Sequence, residues 1–544
     1  MISVQATSAT GRGAGRAGSF GGFRTRWALL ISVAGGLALF AAFPPVDAWP
    51  LAVAGPGLLV VALTGRSLRA SFGCGLAFGL ALFVPLISWL VNEAWYAWTI
   101  LAGVLALIFA VLAIGQRLLL NLPYWPAAVA GWWVLVEGIR DRWPYAFPWG
   151  RLAMSQSVAP DVRWVAIGGA PLLSFLVALV GVMLARAVLA GLADRSSWRS
   201  LRGPILAAVV TAGLVLAGGL LPVDPVGGAP TAQLAAIQGN VPRARDLSQQ
   251  LSASQVTQNH VEATLKLAAQ VKTGQRPAPD LVIWPENSTD LDPFQNPSIY
   301  AGLSTAVNAI GRPVLIGEVL NDPRRNVGQL WLPGRGPTTS YVKRQLVPFG
   351  EYIPFRGFIS SFSDLPALQP IDFTPGHRAV VFGTGTIRLG DVICYEVAFD
   401  QLVRSEVTAG ANLLAVQSND ADFEIDGQLG ETEQQTAMAR IRAVESDRAV
   451  VYASTTGEST IIAPDGALIA HSGTWQQAIL DARVPLVSYR TLASRVGAGP
   501  EYLIIALTVL ALGWAVRRGL RARRARPEAE PEPGPEHDAV AEPI

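Results

Sequence analysis

The sequence predicts a polytopic α-helical membrane bundle of about eight transmembrane helices, with an α/β domain inserted before the last of them. Three observations predict it. Hydrophobic residues make up 51% of the chain and charged residues only 15%, with a mean hydropathy of +0.36, values that fit a chain partly in lipid and partly in water. Seven long uncharged stretches precede residue 225, and one more lies near the C-terminus. Between them runs a region in which short β-rich apolar runs alternate with helical patterns, as in an α/β domain.

Residues 1–26 are rich in Gly, Ser, Ala and Arg, without an apolar core and cleavage site. They read as a disordered cytoplasmic segment, and the first span as an uncleaved anchor. The seven stretches, 27–46, 48–65, 70–92, 94–116, 118–136, 164–185 and 203–223, make up a bundle over 27–223. Each approaches the roughly 20 helical residues that cross a hydrocarbon core. The eighth stretch, 502–516, reaches that length when the approach from Val496 is included, giving a span over 496–516. The segment 517–544 is first basic, then Pro/Glu-rich, and reads as a solvated cytoplasmic tail.

Arginines orient the bundle. Arg12, Arg16, Arg24 and Arg26 precede the first span, and Arg517, Arg518, Arg521, Arg523, Arg524 and Arg526 follow the last. Arg66, Arg69, Arg117 and the run from Arg186 to Arg202 fall in even connections, whereas the first and third connections carry no Lys or Arg. The positive-inside rule then makes both termini cytoplasmic and the inserted domain extracytoplasmic. Arg140, Arg142, Arg151 and Arg163 in the fifth connection break the pattern.

The inserted domain covers about 231–489. Its strand-like runs are QLAAIQGNV, DLVIWPE, PVLIGEV, VGQLWL, IRLGDVICYE, NLLAVQSN and AVVYAST, and its main helical patterns are Leu251–Val271 and Glu431–Asp447. A net charge of +2 with basic residues spread along the chain gives no reason to expect nucleic acid. Cys74 and Cys394 lie far apart in unlike sequence and imply no disulfide framework. His260, His377, His471 and His537 lack metal spacing, and neither CxxC, HExxH nor a phosphate-cradling loop occurs. No metal or cofactor is expected.

Three residues stand out for chemistry. Cys394 ends the run IRLGDVIC and precedes Tyr395, Glu396 and a helical pattern over Val397–Thr408. A nucleophile at a strand-to-helix junction is exposed on a sharp turn near backbone N–H groups, and a helix N-terminus would favour its thiolate. A lone cysteine in such a run is otherwise a buried structural residue. Glu286 ends LVIWPE, a strand end where a carboxylate can face a shared cleft as a general base, or else serve as a turn or cap. Lys343, in YVKRQLVPFGEYIP, is one of three lysines against 39 arginines. A compact ammonium suits an oxyanion or thiolate better than the bulky guanidinium fork, although a surface lysine surviving by chance is the plainer reading. His377 in TPGHRA offers a Cys/His pairing as an alternative, and Glu137 reads as packed or interfacial.

WPE, then K…VPFGEYIP, then GDVICYE, in that order, resemble the glutamate–lysine–cysteine triad of the nitrilase superfamily. With seven preceding spans and one following, residues 27–516 are similar to its bacterial apolipoprotein N-acyltransferase branch. Further pieces in keeping are FPW at Phe147–Trp149, IQGNVP at Ile237–Pro242, SND at Ser418–Asp420 and MARIRAVE at Met438–Glu445. The resemblance implies a nitrilase-like α-β-β-α sandwich, with Glu286 as proton acceptor, Lys343 as stabiliser of the tetrahedral intermediate and Cys394 as nucleophile. Glu351, Tyr395 and Glu396 fall at supporting positions, and Trp284, Phe349 and Tyr352 are candidates to contact substrate. It also implies a membrane phospholipid donor, a diacylglyceryl apolipoprotein acceptor, a thioester intermediate and residence in the bacterial plasma membrane. Two alternatives stay open: a membrane-anchored amidase, and a scaffold partner of a polyprenol-phosphate mannose synthase, a role linked to relatives in high-GC actinobacteria. The chain departs from the family pattern at Ala421–Phe423 and at Arg243–Leu247, where aromatic residues are expected. Both departures bear on acyl-chain or acceptor contacts rather than on the triad.

Overall fold

The computed structural model describes residues 25–143, 145–193, 198–221, 228–241, 249–361, 369–421, 423 and 430–524. The expectations for most of 1–26, for 243–247, for Asp422 and for the tail from 525 onward lie outside those residues.

Eight helices occupy the eight apolar stretches: α1 (Thr25–Ala41), α2 (Leu51–Leu63), α3 (Leu68–Leu86), α4 (Trp95–Leu119), α5 (Trp125–Arg140), α6 (Val165–Ala193), α7 (Trp198–Leu216) and, after the inserted domain, α14 (Gly499–Arg524). Among the described residues the helical stretches Leu68–Leu86, Trp95–Leu119, Pro160–Ala193, Leu201–Leu220 and Gly499–Arg521 are long and apolar enough to cross a membrane, five rather than the eight expected. The other three are shorter. α1 stops before the Pro44–Pro45 turn, because proline offers no N–H to continue a helix; α2 has only 13 residues; α5 has 16 and carries Glu137 and Arg140.

Small residues let these helices approach closely. A methyl group added at Gly36 would lie 2.3 Å from the Phe78 carbonyl oxygen, and one at Gly75 2.4 Å from that of Phe109. Such contacts are how apolar helices associate where water offers no hydrophobic drive. The outward faces stay apolar: Leu206, Val209 and Leu214 on α7, and Leu503, Leu507 and Leu510 on α14, are all well exposed. A stripe of that kind is unfavourable in water and suited to lipid.

The inserted domain is two six-stranded sheets face to face. In the first, β1 (Thr231–Gln238), β2 (Leu281–Ile283) and β3 (Val314–Asn321) run parallel, followed antiparallel by β4 (Arg324–Leu332) and β5 (Gly336–Val342). In the second, β7 (Ile387–Ile393), β8 (Leu413–Ser418) and β9 (Val450–Ser454) run parallel, followed antiparallel by β10 (Thr460–Ile462) and β11 (Leu468–His471). β12 (Ala478–Pro485) pairs antiparallel on β1 as β6 (Val381–Thr384) does on β7, so the two sheets share one topology. The sequence carries no matching repeat.

α8 (Gln249–Lys272) and α9 (Pro297–Ile310) cover the first sheet, and α11 (Asp400–Thr408) and α12 (Glu431–Ser446) the second, which completes an α-β-β-α sandwich. Period-2 alternation explains the layers. Leu234, Ala236, Leu281, Ile283 and Leu315 join the core between the sheets, while Ala235, Ile237, Val282, Val314 and Ile316 pack under α8 and α9. Strands buried on both faces read as unbroken apolar runs, which is why LVIW and NLLAV stand out. The short α10 (Arg356–Ile359) lies in the β5–β6 connection, and α13 (Leu492–Val496) leads into α14.

One end of the bundle meets the domain. Gln434 on α12 donates to Pro44 O at 3.2 Å and to Leu86 O at 3.1 Å, and accepts from the Trp149 indole at 2.5 Å. Arg66, Arg69 and Arg117 lie at the opposite ends of their helices, where Arg117 Nε donates to Arg66 O at 2.6 Å. The fifth-connection arginines, by contrast, are held by protein groups. Arg151 makes a two-pronged bond to Asp400 at 2.7 and 3.0 Å, Arg142 to Glu501 at 2.8 and 2.9 Å, and Arg140 donates to Trp149 O at 3.1 Å. Arg163 donates to Leu221 O at 2.8 Å. These four arginines are therefore bonded to protein groups rather than free in a loop.

Candidate active site

Cys394 follows β7 directly and opens a single 3-10 turn, Cys394–Ala398. Its φ of +52° is a left-handed backbone that a side chain bearing Cβ adopts only when its surroundings enforce it. Glu396 supplies much of that enforcement. Its buried carboxylate accepts from Ile393 N–H at 2.8 Å, Arg344 N–H at 2.7 Å, Gln345 N–H at 3.0 Å and the Tyr341 hydroxyl at 2.7 Å. One side chain therefore ties the cysteine elbow to the segment that carries Lys343.

Glu286 stands three residues beyond β2. Its Oε1 accepts from Lys343 Nζ at 2.9 Å and from Asn326 Nδ2 at 2.6 Å, and its Oε2 from Asn419 N–H at 2.9 Å. Lys343, just past β5, also donates to Glu351 Oε1 at 3.0 Å, as Asn326 does at 3.1 Å. Glu351 Oε2 accepts from Val347 N–H at 2.7 Å, which holds its loop in place. Burial alone would lower the Lys343 pKa, but Glu286, Glu351 and Cys394 outweigh it and keep the ammonium charged.

The Cys394 sulfur accepts from Gln435 Nε2 at 3.6 Å, and the same amide donates to Glu431 Oε1. Burial pushes the thiol well above its ordinary value and the Glu286 carboxylate pushes the same way, with Lys343 pulling against both. The resting group is thus a thiol. The helix N-terminus expected to favour a thiolate is not at the cysteine, because a five-residue turn, and not α11, follows it.

Tyr395 points to the bundle. Its hydroxyl donates to Ala146 O at 2.6 Å, and its ring stacks on Trp149 at 6.3 Å and 14°. Phe147 and Trp149 are themselves stacked, so the FPW stretch packs against the residue next to the cysteine. Phe349 and Phe355, both with positive φ, flank Tyr145 at 6.3 and 6.4 Å. Phe349, Phe355 and Phe358 are 47%, 73% and 71% exposed, an apolar edge beside Lys343 and Glu351 in the chain, and Tyr352 in the same loop is half-buried.

The structure brings together Glu286, Lys343, Cys394 and Glu351, with Glu396 beneath them. It does not bring in Trp284, which sits on the helix-covered face of the first sheet with its indole donating to Thr264 Oγ1 at 3.0 Å. Trp284 is a core residue with no route to substrate, since it continues the outward face of β2. His377 is exposed and Glu137 is packed, accepting from Leu152 N–H at 2.7 Å. Asn326 and Asn419 donate to Glu286 and Gln435 to Cys394, and Glu431 accepts from Gln435; of these only Asn419, in the SND stretch, is named by the sequence.

Residues 233–494 match the carbon-nitrogen hydrolase family, and residues 35–183 match the apolipoprotein N-acyltransferase N-terminal domain. Fold and sequence together define a carbon-nitrogen hydrolase domain carried by a membrane protein. The apolipoprotein N-acyltransferase of Mycolicibacterium smegmatis is 37% identical over 91% of this chain and 88% of its own length. That of Azotobacter vinelandii is 31% identical over 92% and 96%. The chain belongs to the apolipoprotein N-acyltransferase family. Among solved structures, a nitrilase-superfamily amidase of Nesterenkonia AN1 is 19% identical, covering 50% of this chain and 96% of its own, with a TM-score of 0.36.

Proposed function

We propose that this protein is an N-acyltransferase that moves an acyl chain from a membrane phospholipid, through a thioester on Cys394, to the N-terminal diacylglyceryl-cysteine amine of apolipoproteins. The observation that carries the reading is the buried cluster in which Lys343 bridges Glu286 and Glu351 beside the Cys394 thiol. Glu286 takes the thiol proton as the sulfur attacks the ester carbonyl. The oxyanion is held by the Lys343 ammonium and by the N–H groups that open the Cys394 turn. Collapse expels the lysophospholipid alkoxide, which takes the proton back from Glu286. The acceptor amine then attacks the thioester and gives its proton to Glu286, and the thiol is regenerated.

The exposed edge of Phe349, Phe355 and Phe358 supports a site that meets lipid, with Phe349 and Tyr352 near the acyl chain. Arg66, Arg69 and Arg117 at the end of the bundle away from the domain support an extracytoplasmic site on the plasma membrane. A polyprenol-phosphate mannose synthase is a compatible second partner, but no surface among the described residues argues for it.

The test is intact-protein mass after incubation with phospholipid alone. A transferase stops after about one equivalent of lysophospholipid with an acyl group on Cys394, and resumes when a diacylated lipopeptide amine is added. Steady release of lysophospholipid and fatty acid with no adduct on Cys394 would mean a hydrolase.

A further inference from the structure

Asp391 lies on β7, three residues before the nucleophile, and is fully buried between the two sheets. Neither of its carboxylate oxygens meets a side-chain hydrogen-bond donor among the described residues, the backbone N–H of Val392 being the donor that bears on it, and Oε1 of the fully buried Gln417 meets none. The two side chains are neighbours above Gly328 on β4. A methyl group built on that glycine would lie 2.0 Å from Asp391 Oδ2 and 2.7 Å from Gln417 Oε1, so the space they share exists only because residue 328 has no side chain.

The orientation of the Gln417 amide is not free. Its Nε2 donates to the carbonyl oxygen of Trp284 at 2.5 Å, and exchanging the amide ends would set two acceptors against each other there. Oε1 is therefore turned towards Asp391, and an ionised carboxylate would meet it acceptor to acceptor in a site sealed from water. A proton between them removes the conflict. Gln417 pairs in register with Ile393, the residue before Cys394, and the carbonyl it grips belongs to the residue two before Glu286. Asn419, two residues after Gln417, donates to Glu286 itself.

We propose that Asp391 is held as the neutral carboxylic acid, donates its proton to Gln417 Oε1, and so acts as a positioning residue that sets Glu286 against Cys394. The string Asp391–Gln417–Trp284 carbonyl crosses from the second sheet to the first beneath the reacting pair. The surrounding contacts between the sheets are largely apolar and do not lock lateral register by direction, whereas a hydrogen-bonded string does. Burial pushes Asp391 well above the carboxylate range, and the nearby Glu396, Glu406 and Glu286 push it further, with the Val392 N–H pulling more weakly the other way. A carboxylic acid kept neutral so that it can donate has precedent in enzyme sites. The inference rests on Cys394 and Glu286 being the reacting pair.

The test uses full-length protein in detergent with phospholipid vesicles, reading the rate of acyl-Cys394 formation, the rate of Cys394 alkylation by iodoacetamide, and thermal unfolding. Asp391→Asn supplies an amide donor in place of the acid and should keep acylation within about threefold of wild type. Asp391→Leu strands Gln417 Oε1 and should lose thirtyfold or more. The double variant Asp391→Leu/Gln417→Leu removes both polar partners, so its unfolding temperature should recover while its acylation stays low, a split that a purely structural role would not produce. The infrared difference between wild type and Asp391→Asn should show a protonated carboxyl stretch at neutral pH. A carboxylate signature there, an Asp391→Asn variant as slow as Asp391→Leu, or a double variant with full activity would overturn the proposal. If wild type forms no acyl-cysteine, the acyl-transfer reading fails separately, and alkylation still ranks the variants.

Discussion

The Lys343 ammonium donates to Glu286 Oε1 at 2.9 Å, so the two side chains form one buried ion pair rather than two independent groups. A second bond from the same ammonium to Glu351 at 3.0 Å leaves it flanked by two carboxylates. Such an arrangement fixes the cation in space and leaves it able to meet negative charge that develops nearby.

Lys343→Arg should therefore be nearly inactive although the charge is kept. The side chain is 1% exposed, and the planar fork needs more room than the ammonium between Glu286 and Glu351. Acyl-Cys394 formation is expected to fall by about a hundredfold, roughly the reach of one oxyanion donor. Activity within about threefold of wild type, under roughly 0.7 kcal/mol in the barrier, would make Lys343 a bystander.

Glu286→Gln should split two readouts that normally move together. The glutamate raises the Cys394 pKa and Lys343 lowers it, so neutralising Glu286 should bring the thiol down and speed alkylation by iodoacetamide at mildly alkaline pH. Acylation from phospholipid should instead slow by about a hundredfold, because no positioned base remains. Loss of both activities in parallel would mean that the variant damages the elbow rather than the proton transfer.

Much of this site is legible in the sequence because its chemistry sits at strand ends. LVIWPE and GDVICYE show where β2 and β7 stop, and a lysine among so many arginines marks the third position. Asn326 and Gln435 are not legible in that way, since each reaches Glu286 or Cys394 from a separate element and only packing brings them there, whereas Asn419 closes the NLLAVQSN run just past the end of β8. Trp284 misleads for a local reason: it lies two residues before Glu286 in the chain, but its side chain continues the face of Val282 and packs under α8. Two of the fifth-connection arginines, Arg151 and Arg142, have partners that no local reading finds, because Asp400 and Glu501 lie 249 and 359 residues away in the chain.

The Arg151–Asp400 joint should hold the domain to the bundle in a pH-independent way above about pH 5. Burial would raise the Asp400 carboxyl, but Arg151 and Arg442 outweigh it and hold it below the usual carboxylate range. A depressed folded pKa means that its contribution is complete above the unfolded value and is lost only as pH falls through the folded one. Asp400→Asn removes the carboxylate that Arg151 and Arg442 share, leaving Arg151 with Asp141 at 3.3 Å and Arg442 with Glu445 at 2.6 Å, and should destabilise by less than the roughly 3–5 kcal/mol typical of a buried charge left unpaired. Thermal unfolding of both proteins at pH 5 and pH 8 should give the same difference. A gap that closes at pH 5 would show that Asp400 is not held ionised.

Glu318 should act in the opposite sense. It is fully buried on β3, one residue past Gly317, which packs on the Pro285–Glu286 backbone, and its Oε1 accepts from the Trp331 indole at 2.6 Å. Burial pushes the carboxyl up to about 8, with the indole bond lowering it and Asp292 raising it. The folded protein then holds a proton that the unfolded chain releases above its ordinary value near 4.5. A raised folded pKa contributes stability that is complete below the unfolded value and is lost as pH rises towards the folded one, so the window runs from about 4.5 to about 8. Glu318→Gln keeps an oxygen for Trp331 and never ionises. Its stability relative to wild type should grow across that window, by on the order of a few kcal/mol at most. Unfolding temperatures of the two proteins should diverge from pH 5 to pH 8 and run parallel above it. Parallel curves throughout would mean that Glu318 is ionised in the folded protein, with its charge met by a group other than Trp331.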